Sequence, residues 1–409
     1  MTKKRILFSL PFILIPLALV MIFNEKDVEI SKKIVDLREL HSQFLETRKP
    51  KKANTSLSRK DKIQQGLPPN QYYEMLAYLT MNPALGYPEP YKIKEIRQNL
   101  RAKRSRKTPG IEPENPWIER GPTNVGGRTR VLLFDPNDPS GKRVFAGAIS
   151  GGLWVNDDIT IENSPWKRVE GLPSNMNISC ITVDPRDSNT WYIGTGEQYT
   201  AGDVVGTGVF KTTDGGNTWK KILDVEDFDT DGAGENALVV GGIHYINDII
   251  AWDNGSSTEI FIGVTTHIYA NAQNPDNFLG FFDRGLYGST DQGISWEKLI
   301  PEESFNDFEI DAAGNLWVVT TNSPGVGQEA HGGEIFMRPL GENTEFSQIT
   351  TIPGVLRTEI EASAQNANKF YVFAEEKETG NTLMWVTNNS FEAIETLAIP
   401  NDADTDIPP

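Results

Sequence analysis

Glu197 is the residue best placed to do chemistry, because it is a carboxylate that directly ends an apolar segment, WYIGTGE. Arg128 follows a Gly-Gly pair and opens another apolar segment. A guanidinium can hold a carboxylate ligand through two parallel hydrogen bonds. The two residue types therefore favour a ligand-binding site at strand ends, with Glu197 as the candidate for a catalytic group.

Other polar residues also stand where an apolar segment gives way to a turn or loop. These ligand-binding candidates are Ser150, Thr266, His267, Glu329 and His331. For each acid or arginine, a structural salt bridge is the competing interpretation. For both histidines the pattern favours ordinary loop residues, and no second histidine stands at the spacing of a zinc site.

An acidic insertion contains the one candidate metal site. Its possible calcium ligands are Asp227, Asp229, Asp231 and Glu235. The three aspartates alternate before Gly232, as in an oxygen-ligand loop, but Leu238 stands where an EF-hand needs a bidentate glutamate. The pattern excludes an EF-hand and leaves two alternatives, a looser Ca²⁺ site or a solvated acidic loop. No other cofactor is predicted.

Cys180 is the single cysteine, so an intrachain disulfide is excluded. It lies in the apolar segment SCITV, which favours a small buried packing residue over a nucleophile. The sequence has no Gly-x-Ser-x-Gly elbow, no His-Glu-x-x-His motif and no phosphate-binding loop. The sequence therefore does not favour assignment to the serine hydrolases, the zinc proteases or the nucleotide-binding proteins.

Two matching segments reveal the elements that must position these residues. TTDGGNTW (Thr212–Trp219) and STDQGISW (Ser289–Trp296) share a turn in which hydroxyl and carboxylate bond the backbone, Gly supplies the required φ, and Trp packs back on the sheet. Apolar strands flank both, so each is predicted to be a hairpin tip. The structural positions are Thr212, Asp214, Gly216, Trp219, Ser289, Asp291, Gly293 and Trp296.

A second repeat surrounds these hairpins. Five pairs of strands joined by Asp-Pro-like turns precede an aromatic that opens a third strand, at Trp154, Phe210, Tyr287, Phe336 and Trp385. The spacing is close to 50 residues for four strands, which is typical of a propeller blade. We therefore predict an all-β propeller of about five four-stranded antiparallel blades over residues 111–400. Whether five blades close or belong to a larger ring stays open.

The two boxes, together with GGRTR, FDPNDP, SGGLW and GTGE, resemble the Asp-box (BNR) propellers, and within them the sortilin-type and xyloglucanase-type (glycoside hydrolase family 74) branch. The other three blades keep the hairpin but lose the box. For the xyloglucanase branch, the resemblance implies a catalytic Asp just before a Gly-Gly turn. Ile149 and Ser150 stand at that place here. The resemblance therefore predicts the fold and leaves catalysis uncertain.

Strand counting divides the predicted propeller into two faces. The Asp-box turns lie on one, which we call the box face. The connections between strands two and three and between blades lie on the other, the loop face, and three are long, Glu197–Thr207, His267–Arg284 and Thr321–Gly333. Because binding residues concentrate in loops held by a rigid scaffold, we expect the ligand on the loop face.

The N-terminal part has a different composition. Residues 1–110 carry 22 Lys and Arg against 10 Asp and Glu, although the whole chain has a net charge of −17. Lys3, Lys4 and Arg5 precede an apolar run to Phe23, which predicts an export signal or an uncleaved membrane anchor over residues 6–23. Residues 24–110 are predicted to be a partly helical basic leader, and residues 401–409 an acidic tail.

These features predict an exported protein, secreted or at the cell surface, that binds a glycan or an extracellular protein on its loop face. The alternative is a sialidase- or xyloglucanase-like glycoside hydrolase with a diverged active centre. A third interpretation is a spacer without a ligand. The acidic balance argues against a nucleic-acid partner, because phosphate binding needs a basic surface.

Overall fold

The structure is a computed structural model. It describes residues 128–172, 176–198, 206–224, 244–266, 284–301, 303–322 and 332–399, with short pieces at 39–40, 42–43, 46, 57–58, 61, 65, 81–82, 87–88, 99, 237–238, 268–270 and 278–280.

Five four-stranded antiparallel sheets make up the described body, and each follows the simple order 1-2-3-4. Blade 1 contains Thr129–Phe134, Val144–Ala148, Gly152–Asn156 and Lys167–Arg168. Blade 2 contains Ile178–Asp184, Asp187–Thr195, Val209–Thr212 and Lys220–Leu223. Blade 3 contains His244–Asp253, Thr258–Thr266, Gly285–Ser289 and Glu297–Pro301. Blade 4 contains Ser304–Ile310, Leu316–Thr321, Glu334–Arg338 and Ser347–Thr351. Blade 5 contains Val355–Ala362, Phe370–Glu376, Thr382–Thr387 and Glu395–Thr396. The prediction of an all-β propeller with four-stranded blades is confirmed.

The cores lie between neighbouring blades. Apolar residues alternate along the strands, so each sheet has two faces that can pack. At the boundary between blades 1 and 2, Phe145 and Ile178 belong to one buried cluster, and at the boundary between blades 4 and 5, Trp317 and Phe370 do. The third-strand aromatics follow the same rule, since Phe210 and Trp385 pack on the blade before their own.

Both Asp-box turns have the predicted geometry. The Asp214 carboxylate accepts the Thr218 N–H at 2.8 Å and the Thr218 hydroxyl at 2.6 Å, and these bonds lower its pKa to about 2. Asp291 does the same with Ser295, at 2.8 and 2.5 Å. Gly216 has φ +88°, a conformation that favours glycine. The two aspartates are therefore turn formers.

The tryptophans of the boxes differ from the prediction. Trp219 and Trp296 are half-buried, and each packs on a cluster shared with the preceding blade rather than on its own blade alone. The Trp219 indole N–H donates to Gly216 O at 3.0 Å, which turns the ring back over the turn and toward that neighbour. These rings therefore join blades.

Blade 5 keeps the box geometry without its sequence. Asn389 replaces the aspartate and accepts the Ala393 N–H at 3.0 Å, while Phe391 takes the glycine position with φ +71°. Phe391 is buried and its ring lies 5.0 Å from that of Phe370. Burial of this ring offsets the backbone strain, which pattern matching could not anticipate.

Three short described strands lie outside the five blades. His267–Arg284 is more than a loop, because Ile268–Ala270 pairs with Phe278–Gly280, and Ala237–Leu238 adds to the latter in parallel. The acidic insertion is predicted from the sequence over Asp224–Ile246, but the first strand of blade 3 already begins at His244.

In the N-terminal part, Met81–Asn82 pairs with Tyr87–Pro88, which was not predicted, and the residues at 39–40, 42–43 and 46 are helical. The leader over residues 24–110 stays a prediction. Residues 6–23 and 401–409 lie outside the described part. Within the described residues, no helix is long and apolar enough to cross a membrane.

Candidate functional site

The loop face brings Glu197 and Arg128 together. Arg128 precedes the first strand of blade 1, and Glu197 lies two residues beyond the second strand of blade 2. The Glu197 carboxylate is only 3% exposed and lies 3.2 Å from Nη2 of Arg128 and 3.5 Å from Nε of Arg130. The Arg128 side chain is 50% exposed. A buried acid thus fixes one edge of a guanidinium whose other side faces solvent.

A second polar link runs from the same segment to two other blades. The Gln198 amide donates to Asn322 O of blade 4 at 3.1 Å and accepts from Asn247 Nδ2 of blade 3 at 2.9 Å. Asn247 Nδ2 also lies 2.6 Å from Thr265 Oγ1 and 3.1 Å from Phe305 O. Gln198 therefore ties blades 2, 3 and 4 together beside the ion pair and makes this part of the loop face rigid.

The other predicted site residues are distributed unevenly. Ser150 is exposed at the turn of blade 1, whereas Thr266 is fully buried at the end of the second strand of blade 3. Several predicted residues lie outside the described residues, namely His267, Glu329, His331, Asp227, Asp229, Asp231 and Glu235. The binding and calcium predictions for these positions stay predictions.

The Gly-Gly turn of blade 1 carries no acid. Ile149 is buried and its N–H donates to Arg128 O at 3.1 Å, and Gly152, at φ +75°, donates its N–H to Met176 O at 2.8 Å. The turn is thus bonded to the start of its own first strand and to blade 2. Its apolar residue serves packing at the place where the family resemblance implies a carboxylate.

Three carboxyls on the first strands of blades 3 and 4 were missed by sequence reasoning. Asp248 accepts the Phe308 N–H at 3.1 Å, and Asp307 accepts the Ile360 N–H at 2.6 Å, each across a blade boundary. Burial, and then the charge of Asp307, raises the pKa of Asp248 well above its usual value. Burial also raises the pKa of Asp307 to about 7 and that of Glu309 to about 8. These three acids could have been identified from the sequence, because each stands within an otherwise apolar first strand.

Other chemistry finds little support in the described part. Cys180 is buried and not in a disulfide, and burial raises the pKa of its thiol, as expected for a packing residue. Within the described ranges, no group of three or more His, Cys, Asp or Glu side chains is arranged to hold a metal ion. The loop-face ion pair is thus the best-defined candidate site.

Comparison with known proteins gives a partial relationship. No protein family model matches the chain. Over 194 residues it is 28% identical to xyloglucanase Xgh74A of Acetivibrio thermocellus, a match that spans 42% of this chain and only 19% of that relative.

Two solved structures have a similar but distant fold. An ancestral GH74 enzyme is 14% identical, with a TM-score of 0.41 over 66% of this chain and 32% of its own. The GH74 xyloglucanase of Xanthomonas campestris is 16% identical, with a TM-score of 0.39 over 67% and 45%. The propeller assignment rests on the five sheets themselves.

Proposed function

We propose that the protein is an exported binding module whose loop face recognises a carboxylate-bearing ligand, either an acidic glycan or an acidic segment of an extracellular protein. The observation that carries the proposal is the half-exposed Arg128 guanidinium held by the buried Glu197. Arg has five N–H donors in a fixed fork, so contact with Glu197 leaves donors directed at a ligand.

The surroundings support binding more than turnover. Glu197 touches two guanidiniums and is almost fully buried, so it is poorly placed to reach a substrate as acid, base or nucleophile. A glycosidase also needs a second carboxyl within ~5 to 9.5 Å across the scissile bond. Ile149 is buried at the turn where the family resemblance would place such a group.

A fixed guanidinium on a rigid face loses little entropy on binding, because it is already positioned. Gln198 contributes to that rigidity through its bonds to blades 3 and 4. The second strands of blades 2, 3 and 4 end at this same face, at Thr195, Thr266 and Thr321. Export remains part of the proposal through the predicted signal at residues 6–23.

An array of neutral β-glucan, xyloglucan and uronic-acid oligosaccharides, printed beside acidic peptides, tests the proposal. We expect the full chain to bind an acidic probe and the Arg128→Ala variant to bind it at least ~10-fold more weakly, since a charge-assisted pair is lost. Arg186→Ala is the matched control, because Arg186 forms a 2.7 Å ion pair with Asp253 on the box face.

Binding that is unchanged in Arg128→Ala, or reduced equally by Arg186→Ala, contradicts the site. Absence of binding to every acidic probe contradicts the function.

The second candidate function is glycoside hydrolysis, favoured by the similarity to a xyloglucanase over 194 residues. Release of reducing ends from xyloglucan by the full chain, abolished in Glu197→Gln, would replace the binding proposal. Release that persists in this variant would move the catalytic group away from Glu197.

A further inference from the structure

The first strands of blades 2, 3 and 4 share one irregularity. The pairing of each with its second strand skips one residue, which is Ser179 in blade 2, Asn247 in blade 3 and Asn306 in blade 4. A β-bulge of this kind interrupts the alternation of side chains between the two faces of a sheet. Two successive side chains can therefore point at the same neighbouring blade.

The first of these two side chains donates to a main-chain carbonyl of the next blade. The Ser179 hydroxyl donates to Ile246 O of blade 3 at 2.5 Å, and the Asn306 amide donates to Thr358 O of blade 5 at 2.9 Å. The bond from Asn247 to blade 4 follows the same rule. These contacts join the first strands of blades 2 to 5 in series.

The second side chain differs between the boundaries. It is Cys180 in blade 2, Asp248 in blade 3 and Asp307 in blade 4. The thiol lies 3.7 Å from a main-chain carbonyl of blade 3. The two aspartates instead each accept a main-chain N–H of the following blade, at 3.1 and 2.6 Å. A carboxyl thus stands at two of the three boundaries.

The same contrast recurs two residues further along the strands. The Thr182 hydroxyl of blade 2 accepts the Ala251 N–H of blade 3 at 3.2 Å. Glu309 holds the corresponding position in blade 4, and the Ala362 N–H of blade 5 is hydrogen-bonded to its carboxyl. The boundary between blades 2 and 3 therefore uses a thiol and a hydroxyl where the boundary between blades 4 and 5 uses two carboxyls.

The surroundings of these carboxyls are mainly acidic. The charged groups of other strands that face Asp307 or Glu309 are Asp248, Glu359, Glu361 and Arg357. Of these, Arg357 pairs with Glu359. Asp248 also faces Arg130 of blade 1 and Cys180 of blade 2. Ionisation of Asp307 and Glu309 would therefore add negative charge between the blades, beside acids that are already there.

We propose that the boundary between blades 4 and 5 is a pH-sensitive switch, closed while the Asp307 and Glu309 carboxyls hold protons and opened locally when they ionise. In the closed state each carboxyl accepts a main-chain N–H of blade 5 without carrying a charge. In the open state water reaches the carboxylates and removes the cost of their burial. The boundary between blades 2 and 3 has no such pair and does not respond. The switch is independent of the loop-face ligand.

The direction of the response follows from the two protonation states. The pKa of Asp307 is raised from 3.8 to about 7 and that of Glu309 from 4.5 to about 8, chiefly by burial. The closed state therefore holds protons that the open state releases between pH 5 and 7. Each released proton makes opening about 10-fold more favourable per pH unit in this range.

Amide hydrogen exchange of the full chain between pH 5 and 7 tests the proposal. Mass spectrometry with electron-transfer fragmentation resolves single amides, and each rate is divided by the intrinsic rate at that pH. We expect the corrected exchange of Ile360 and Ala362 to rise at least ~10-fold per pH unit, because their acceptors ionise. Ala251, the matched amide between blades 2 and 3, should not change. An equal rise at Ala251, or no rise at Ile360 and Ala362, overturns the proposal.

The double variant Asp307→Asn, Glu309→Gln tests the cause. Both amides keep an acceptor oxygen and neither ionises in this range, so the corrected exchange of Ile360 and Ala362 should become independent of pH. Asp291→Asn is the control and should keep the wild-type response, since the pKa of Asp291 is lowered to about 2. A response that persists in the double variant, or that is lost in the control as well, contradicts the assignment.

Discussion

Two buried glutamates on opposite sides of the propeller are each held by arginine, and they differ in what surrounds the guanidinium. Near the box face, Glu259 of blade 3 pairs with Arg338 of blade 4 at 2.9 and 3.1 Å, and Asn254 donates to the same carboxylate at 2.6 Å. Arg338 is 9% exposed and lies 5.2 Å from the ring of Trp252. On the loop face, Glu197 is as buried, but Arg128 is half exposed.

The comparison shows that exposure of the arginine, more than burial of the glutamate, distinguishes a structural ion pair from a candidate binding site. We call the buried Glu259–Arg338 pair the brace. The donors of Arg338 are directed at Glu259 and at the Thr344 hydroxyl, and aromatic rings lie over its guanidinium, so it offers no side for a ligand. Arg128 has such a side. The same pair of residue types therefore joins blades 3 and 4 in one place and presents charge to solvent in the other.

The largest expected effect comes from breaking the brace. Arg338→Ala leaves the Glu259 carboxylate buried without its cation, so the free energy of unfolding should fall by about 3–5 kcal/mol. Urea denaturation followed by tryptophan fluorescence measures the loss. The double variant Arg338→Met, Glu259→Leu is the control, because replacing both charges by apolar groups removes the unpaired ion. A double variant less stable than Arg338→Ala would contradict the reason given.

Sequence reasoning found both residues of the loop-face pair and neither residue of the Glu259–Arg338 pair. Glu197 and Arg128 were identified because both lie at predicted strand ends. Arg130 and Asn247 were missed, and each stands where a β-bulge interrupts the register of a first strand. A bulge adds one residue and changes the face to which a side chain points, so alternation cannot assign it.

Contacts between blades were beyond the sequence for a different reason. Arg338 and Glu259 are 79 residues apart, and their pairing depends on how blades 3 and 4 pack. The repeat predicted each blade, since strand alternation and turn chemistry are local. It did not assign the box tryptophans or the third-strand aromatics to the preceding blade, which only the assembled body shows.

Asp307 is a third buried acid, and it differs from Glu259 and Glu197 because its close partner is the backbone N–H of Ile360. Asp307 faces Glu359, Glu361 and Arg357 of blade 5, with Asp248 of blade 3 and Glu309 of its own strand nearby. Its pKa rises from 3.8 to about 7, so the folded state holds a proton that the unfolded state has lost. Its contribution to stability is present below pH ~4 and is lost as pH rises toward 7.

The expected result is a wild-type stability that falls by roughly 4 kcal/mol between pH 4 and 8 on account of this group, since one pKa unit corresponds to about 1.4 kcal/mol. Asp307→Asn should flatten that fall, because the amide does not ionise. Thermal unfolding across this pH range measures it. Asp291→Asn is the control, since the pKa of Asp291 is lowered to about 2 and its loss should affect only the acid limb. Parallel curves for Asp307→Asn and the wild type would contradict the assignment.

The smallest expected effect on stability is at the site itself. Arg128→Ala removes a half-exposed partner of Glu197, while Arg130 remains 3.5 Å from the same carboxylate. Solvent screening and side-chain entropy limit exposed ion pairs to about 0–1 kcal/mol, so the free energy of unfolding should change by less than ~1 kcal/mol. Urea denaturation under the conditions used for Arg338→Ala gives the comparison directly. A loss as large as that of Arg338→Ala would make the loop-face pair a second brace, and any loss of ligand binding in Arg128→Ala would then report on folding rather than on recognition.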